Sequence, residues 1–325
     1  MALYLVTGSA GFIANKVVST LLDEGHSVIG LDNLNDSYDV RLKHWRLERL
    51  KQRENFQFCL QDISDMESLE PIFKANPSIA GVINLAARAG VRASVENPWI
   101  FQRTNTEGTL NLLECCQRYG VNKFVLASTS SIYGANAPQP TPEDADSSHP
   151  LQPYAASKKG AEALCHTYHF LYDIDVTIFR YFTVYGPAGR PDMVMFRFIQ
   201  WISEDRPVKL LGSGEQSRGF TYLDDIARGT VLGLKPLGYE IINLGGHETI
   251  TINQMITIME ELIGKKAMVE HLPSIKAEMQ ANWANVEKAR RLLGWEPRVG
   301  LMEGIGNMVK WYQTEREWAS QVLTP

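Results

Sequence analysis

A short apolar run, Leu3-Tyr4-Leu5-Val6, passes straight into Thr7-Gly8-Ser9-Ala10-Gly11, and a second apolar run closes on Asp32. Between them, residues 11–24 carry helical period, so the opening reads as strand, tight turn, helix, strand. Few folds accept this order. Gly8 permits the sharp turn, and Gly11 lets the backbone approach a phosphate with no side chain in the way. The N–H groups and dipole at the helix start can then hold a pyrophosphate. Ala14 stands where a third glycine often allows close helix packing, a place where a methyl is tolerable. Asp32, about 20 residues on, would accept from the adenosine ribose hydroxyls and repel a 2′-phosphate, so the cofactor expected is NAD. Asp62 ends a third run and could meet the adenine edge or serve as a plain turn residue.

The same rhythm continues. Strands are expected over 3–8, 27–32, 56–62, 80–87, 123–130 and 175–184, and helices over 11–24, 37–53, 66–75, 98–119 and 153–172. This predicts an α/β fold, a Rossmann-type doubly wound parallel sheet. After Tyr185-Gly186-Pro187 the pattern changes to helices near 192–204 and 251–264 and short strands near 208–211 and 241–244, with helices over 285–293 and 301–319 at the end. Thr251-Ile252-Asn253-Gln254 reads as a capping box. An NAD-binding domain is expected over 1–184, rejoined by a strand near 241–245, with a smaller C-terminal α/β substrate domain over 185–325. The turn-rich stretch 136–153 is expected to face the active site.

Composition excludes several classes. With 32 Lys and Arg against 37 Asp and Glu, the net charge of -5 offers no basic footprint for nucleic acid. Cys59, Cys115, Cys116 and Cys165 lack metal-ligand spacing and read as reduced core thiols, with no metal expected. No apolar stretch reaches membrane-spanning length and no leader precedes the first strand, so a cytoplasmic protein is expected, with no membrane partner.

Tyr154-Ala155-Ala156-Ser157-Lys158 opens a predicted helix and places a phenol and an ammonium on one face, one turn apart. A nearby cation favours the phenolate and can bring it towards a working pKa.

With Thr7-Gly8-Ser9-Ala10-Gly11-Phe12-Ile13, Asn84-Leu85-Ala86-Ala87, Asn105-Thr106-Glu107-Gly108-Thr109, Tyr154 with Lys158, and the run from Arg180 to Pro187, the chain resembles the extended short-chain dehydrogenase/reductase family over nearly its whole length. The resemblance implies Tyr154 as general base, Lys158 on the nicotinamide ribose and Thr129 as assisting hydroxyl. It also implies cofactor contacts from Phe12, Ile13, Asn33, Asn35, Ile63, Leu85, Ala86, Ala87 and Tyr181, and a homodimer through helices 98–119 and 153–172, with Leu110, Leu113, Leu164 and Leu171 either on that face or in the core.

Within the family, the stretch from Asp32 to Lys43 and Gly189-Arg190-Pro191-Asp192-Met193 are similar to the branch that epimerises UDP-glucuronic acid at C4. Dehydratases of this class usually carry Asp-Glu after the catalytic Thr, and the related decarboxylases a Glu. Here Ser130 and Ser131 follow, which cannot do acid–base work. The resemblance implies a UDP-sugar substrate held by Ser130, Ser131, Thr183, Arg190 and Phe196, with uracil read by the Val208-Lys209-Leu210 strand, diphosphate by Arg218 and ribose by Glu278. The family usually has Asp where Gly219 and Glu278 stand. For Arg190 a loop salt bridge to Asp192 is the alternative. A decarboxylase or dehydratase, and a non-catalytic NAD-binding sensor, stay open as rival readings at this point.

Overall fold

The structure, a computed structural model, describes residues 1–246, 248–273 and 282–325. Its strands are β1 (Leu3–Thr7), β2 (Ser27–Asp32), β3 (Phe56–Leu60), β4 (Ile79–Asn84), β5 (Lys123–Thr129), β6 (Asp175–Tyr181), β7 (Thr183–Tyr185), β8 (Val208–Leu211), β9 (Ser217–Tyr222), β10 (Tyr239–Leu244), β11 (Thr249–Thr251) and β12 (Val269–Leu272). Seven of them form one parallel sheet in the order β10-β6-β5-β4-β1-β2-β3. The fold is a Rossmann-type α/β sheet accompanied by smaller C-terminal sheets, one ordered β11-β9-β7 and one pairing β12 with β8. The strand near 241–244 does return to the large sheet, as β10 beside β6.

Buried β-branched and aliphatic side chains cover both faces of the large sheet, as parallel sheets require. Helices α1 (Phe12–Asp23), α2 (Arg41–Lys51), α3 (Met66–Ala75), α4 (Val91–Glu96), α5 (Pro98–Phe101), α6 (Gly108–Tyr119) and α7 (Pro153–Tyr172) flank or cross over it. A second core joins α8 (Val194–Ser203), α10 (Ile252–Ile263) and α12 (Leu301–Thr314), while α9 (Leu223–Leu232) packs on α1. Short helices α11 (Glu287–Leu293) and α13 (Arg316–Ala319) complete the fold. The capping box at Thr251 forms with both reciprocal bonds.

Several expectations need correction. The run over 175–184 is two strands: Phe182 donates to Leu244 O at 3.0 Å while β7 leaves to pair with β9. The helix expected over 37–53 starts only at Arg41, because Asn35 and Asp39 side chains capture the N–H groups of Ser37 and Arg41 in Asx turns. Between α5 and α6 the helix is π-wound over Gln102–Glu107. Of the two places open to Leu113, the structure puts it in the fully buried core. The four cysteines are free thiols, three buried and Cys59 half-buried. Among the described residues, no helix is long and apolar enough to cross a membrane.

Candidate active site

Strand order reverses between β1 and β4, and the carboxyl ends of the strands open there into one cleft, the place where doubly wound sheets hold ligands. Every residue assigned to the cofactor lines it. Gly8, Gly11, Phe12 and Ile13 come from the first turn; Asp32, Asn33 and Asn35 follow β2; Asp62 and Ile63 follow β3; Leu85, Ala86 and Ala87 follow β4; Tyr154 and Lys158 project from α7, and Tyr181 ends β6.

The turn is built for a backbone approach. Gly8 has φ of +72°, and a Cβ there would sit 2.9 Å from the Ala86 backbone. A Cβ on Gly11 would sit 2.8 Å from Gly8 O, the acceptor of Gly11 N at 2.7 Å. No side chain caps α1 and no acid occupies its first turn, which leaves its leading N–H groups for a bound anion. Asp32 accepts from Ala10 N at 3.1 Å and Leu34 N at 2.8 Å, with Lys43 Nζ 3.8 Å away, and retains acceptor capacity for two hydroxyls. Asp62 is both a turn residue and a wall of the cleft. It accepts from Ser64 N and Oγ at 2.8 and 2.7 Å and from Asn33 Nδ2 at 2.8 Å. Burial works against its charge, yet these donors hold it below the usual carboxylate range. An uncapped helix start, a side-chain-free cradle and a carboxylate on the next strand fit NAD.

At the other end of the cleft, burial pushes the Tyr154 phenol up, opposed by a hydrogen bond with Thr129 and by the charge of Arg190. Lys158 Nζ donates to Ala127 O at 2.9 Å, which fixes the ammonium against the end of β5. Burial brings Lys158 down to about 8, against the pull of Cys165 and Glu162. Glu162, one turn further along α7, is buried with Arg180 Nε at 3.0 Å and Nη2 at 2.8 Å and accepts from Ser128 Oγ at 2.6 Å, so a closed ion pair stiffens the floor beneath Lys158.

Thr129 Oγ1 accepts from Ser131 N at 3.1 Å and caps the 3-10 turn Ser130–Tyr133, which clusters three short hydroxyls beyond β5. Ser130 Oγ is 3.5 Å from Asn282 Nδ2. Arg190 lines the cleft and makes the loop ion pair weighed for it: Nε and Nη2 reach Asp192 at 3.0 and 2.7 Å, and Nη2 donates to Ala89 O at 3.2 Å. Thr183 and Phe196 line a smaller adjoining cleft that shares Phe12 and Arg190.

The remaining residues expected to hold the substrate lie apart. Val208 and Leu210 are core side chains of β8 while Lys209 points out; none of the three lines either cleft. Arg218 is on β9, its Nη1 donating to Ser217 O at 2.8 Å, and Glu278 lies outside the described residues. Sequence reasoning missed Tyr38, Lys43 and Ser128, which also line the cleft. A charged residue at helical spacing within a buried stripe was the available signal for Lys43.

Residues 4–245 match the NAD dependent epimerase/dehydratase family. A UDP-glucuronate 4-epimerase from Thermodesulfobacterium geofontis is 58% identical over 312 residues, covering 96% of each chain. The structure of UDP-glucuronic acid 4-epimerase from Bacillus cereus with UDP-glucuronic acid and NAD superposes with a TM-score of 0.89 at 36% identity, covering 97% of this chain and 100% of its own. UDP-glucose 4-epimerase from Thermotoga maritima with UDP-glucose superposes equally well, at 0.89 and 34% identity, with coverage of 97% and 100%. A glycine turn, an acid closing the next strand and a tyrosine–lysine helix at the switch point thus occur in a chain that matches over nearly its full length, and it belongs to the NAD dependent epimerase/dehydratase family.

Proposed function

We propose that this chain interconverts UDP-glucuronic acid and UDP-galacturonic acid by epimerisation at C4 through a 4-keto sugar. The observation that carries the reading is Tyr154 and Arg190 together in the wall of the cofactor cleft, with Thr129 beside the phenol and serines, not an acid, after Thr129. The high identity to a UDP-glucuronate 4-epimerase supports the choice of sugar. NAD held by the Gly8–Gly11 turn and Asp32 would supply the hydride-accepting and hydride-donating chemistry at C4. Tyr154, as phenolate, takes the C4 hydroxyl proton and gives it back after the keto sugar has turned over, with Thr129 steadying the phenol oxygen. Lys158, anchored at Ala127 O, presents its remaining N–H donors to the nicotinamide ribose. Ser130, Ser131, Thr183 and Arg190 hold the C6 carboxylate. We assign cofactor binding to 1–184 with β10, and the nucleotide end of the sugar to the C-terminal portion, through the backbone of β8, Arg218, Phe196 and Glu278.

Purified protein incubated with UDP-glucuronic acid and no added NAD is expected to form UDP-galacturonic acid, since a cofactor restored in each turnover stays bound. UDP-pentose and carbon dioxide as the sole products would assign a decarboxylase instead. We also propose a homodimer. Trp99, Phe170 and Leu171 are 81%, 76% and 57% exposed, and a groove between the 98–119 helical run and α7, lined by Trp99, Leu110 and Leu164, fits a second copy of those helices. Light scattering is expected to give twice the chain mass, and a charge placed at Leu171 to weaken the dimer; a monomer at micromolar concentration would reject the assembly.

A further inference from the structure

Cations rarely occupy the buried stripe of a helix, yet on α2 Lys43 and Arg46 share that face with Leu42, Leu47 and Leu50, and Arg46 is 1% exposed. A guanidinium so deeply placed must have its donors satisfied. All five N–H groups of Arg46 go to neutral oxygens: Nε and Nη2 to Ala188 O at 3.1 and 2.6 Å, Nη2 also to Gly189 O at 3.4 Å, and Nη1 to Ala10 O at 3.1 Å and Tyr38 OH at 2.8 Å.

The acceptors belong to two separate parts of the site. Ala10 is in the glycine turn, where its own N–H donates to Asp32. Ala188 and Gly189 immediately precede Arg190. Ala188 has φ of +52°, a left-handed conformation that an alanine keeps only when its surroundings enforce it. The enforcing contact here is a two-pronged grip on its carbonyl from a planar side chain that also grips the cofactor turn. Tyr38, a wall of the cleft, takes the fifth donor and lies under the guanidinium at 5.7 Å from its ring centre.

We infer that Arg46 is a positioning residue that clamps the strained Ala188–Gly189 backbone to the glycine turn and thereby sets where Arg190 stands over the sugar. Its effect on product rests on the proposed action on UDP-glucuronic acid; its effect on the cofactor turn does not. Lysine keeps the charge and the stem but cannot span both carbonyl sets with a rigid fork.

The test compares parent, Arg46→Lys, Ala188→Gly and the double variant as purified holoenzymes. Two quantities are read: the dissociation rate of bound NAD, and the ratio of UDP-galacturonic acid to UDP-4-keto-pentose plus carbon dioxide. Arg46→Lys is expected to raise the NAD dissociation rate about tenfold, the equivalent of one charge-assisted hydrogen bond, and to shift the ratio towards the keto-pentose. Ala188→Gly, which relieves the strain that the clamp opposes, should restore most of the ratio in the double variant while leaving the NAD rate raised. A folded Arg46→Lys enzyme with the parent's rate and ratio overturns the inference, as does a double variant with no rescue. If Arg46→Lys does not fold, a folded double variant with the parent's ratio supports the clamp, and a second failure to fold reduces Arg46 to scaffold. If the parent leaves UDP-glucuronic acid untouched, the function proposal falls, and the NAD rate alone still decides the role of Arg46 at the turn.

Discussion

Tyr154→Phe is expected to lower kcat by about a thousandfold, within the range lost with a general base, while the purified protein carries as much NAD as the parent. The ring itself is retained: it packs edge-on against Phe101 with centroids 6.2 Å apart, a contact that phenylalanine keeps. What disappears is the hydroxyl that hydrogen-bonds with Thr129 and feels the charge of Arg190. Because burial is the largest influence on this phenol and raises it, ionisation depends on opposing charge beside the ring. The parent's kcat should therefore climb with pH along a limb that is missing in the phenylalanine variant. A variant that keeps more than a tenth of the parent's rate would remove Tyr154 as the base.

The cofactor half of the site was legible because its demands fall on the backbone. A turn that excludes side chains must be glycine at Gly8 and Gly11, and an acid after the second strand must be Asp32, so spacing alone carries the inference. The tyrosine–lysine pair was legible as a pair, but not the anchoring of its ammonium. Spacing brings Tyr154 and Lys158 to one helix face, whereas the path of Lys158 Nζ to Ala127 O depends on where β5 ends relative to α7. Arg46 was hidden for a related reason: in a helix reading RLKHWRLERLK, one more arginine looks like solvated charge. Only the return of residues 188 and 189, over a hundred positions later, buries it. The break at Phe182 is likewise a tertiary effect, since an apolar run does not record which sheet each half joins.

Arg190→Leu is the variant expected to change what the enzyme makes as well as how fast. Oxidation at C4 of a glucuronic acid gives a β-keto acid. It loses carbon dioxide when the C5–C6 bond aligns with the carbonyl π system: that bond breaks, its electron pair passes into the C4–C5 enolate, and solvent protonates C5. An epimerase must hold the carboxylate out of that alignment. Asp192 grips Arg190 through Nε and Nη2, and Nη2 also reaches Ala89 O, which leaves Nη1 with no hydrogen-bond partner among the described residues. The ion pair to Asp192 therefore orients the guanidinium without using it up, and Nη1 can meet a substrate oxygen while the pair stays intact. Losing this donor should cut kcat on UDP-glucuronic acid by roughly a hundredfold, the cost of a misplaced reacting group. It should also raise the share of UDP-4-keto-pentose and carbon dioxide, with the nicotinamide left reduced in each such event. Since the Arg190 charge lowers the Tyr154 phenol, its removal should displace the rise of kcat with pH to higher pH. UDP-glucose, which lacks the anion, should be used by the parent roughly 10- to 100-fold less well, as expected for a lost charged hydrogen bond. Unchanged kinetics and product ratio in Arg190→Leu, or equal turnover of UDP-glucose by the parent, would take Arg190 and the carboxylate out of the mechanism.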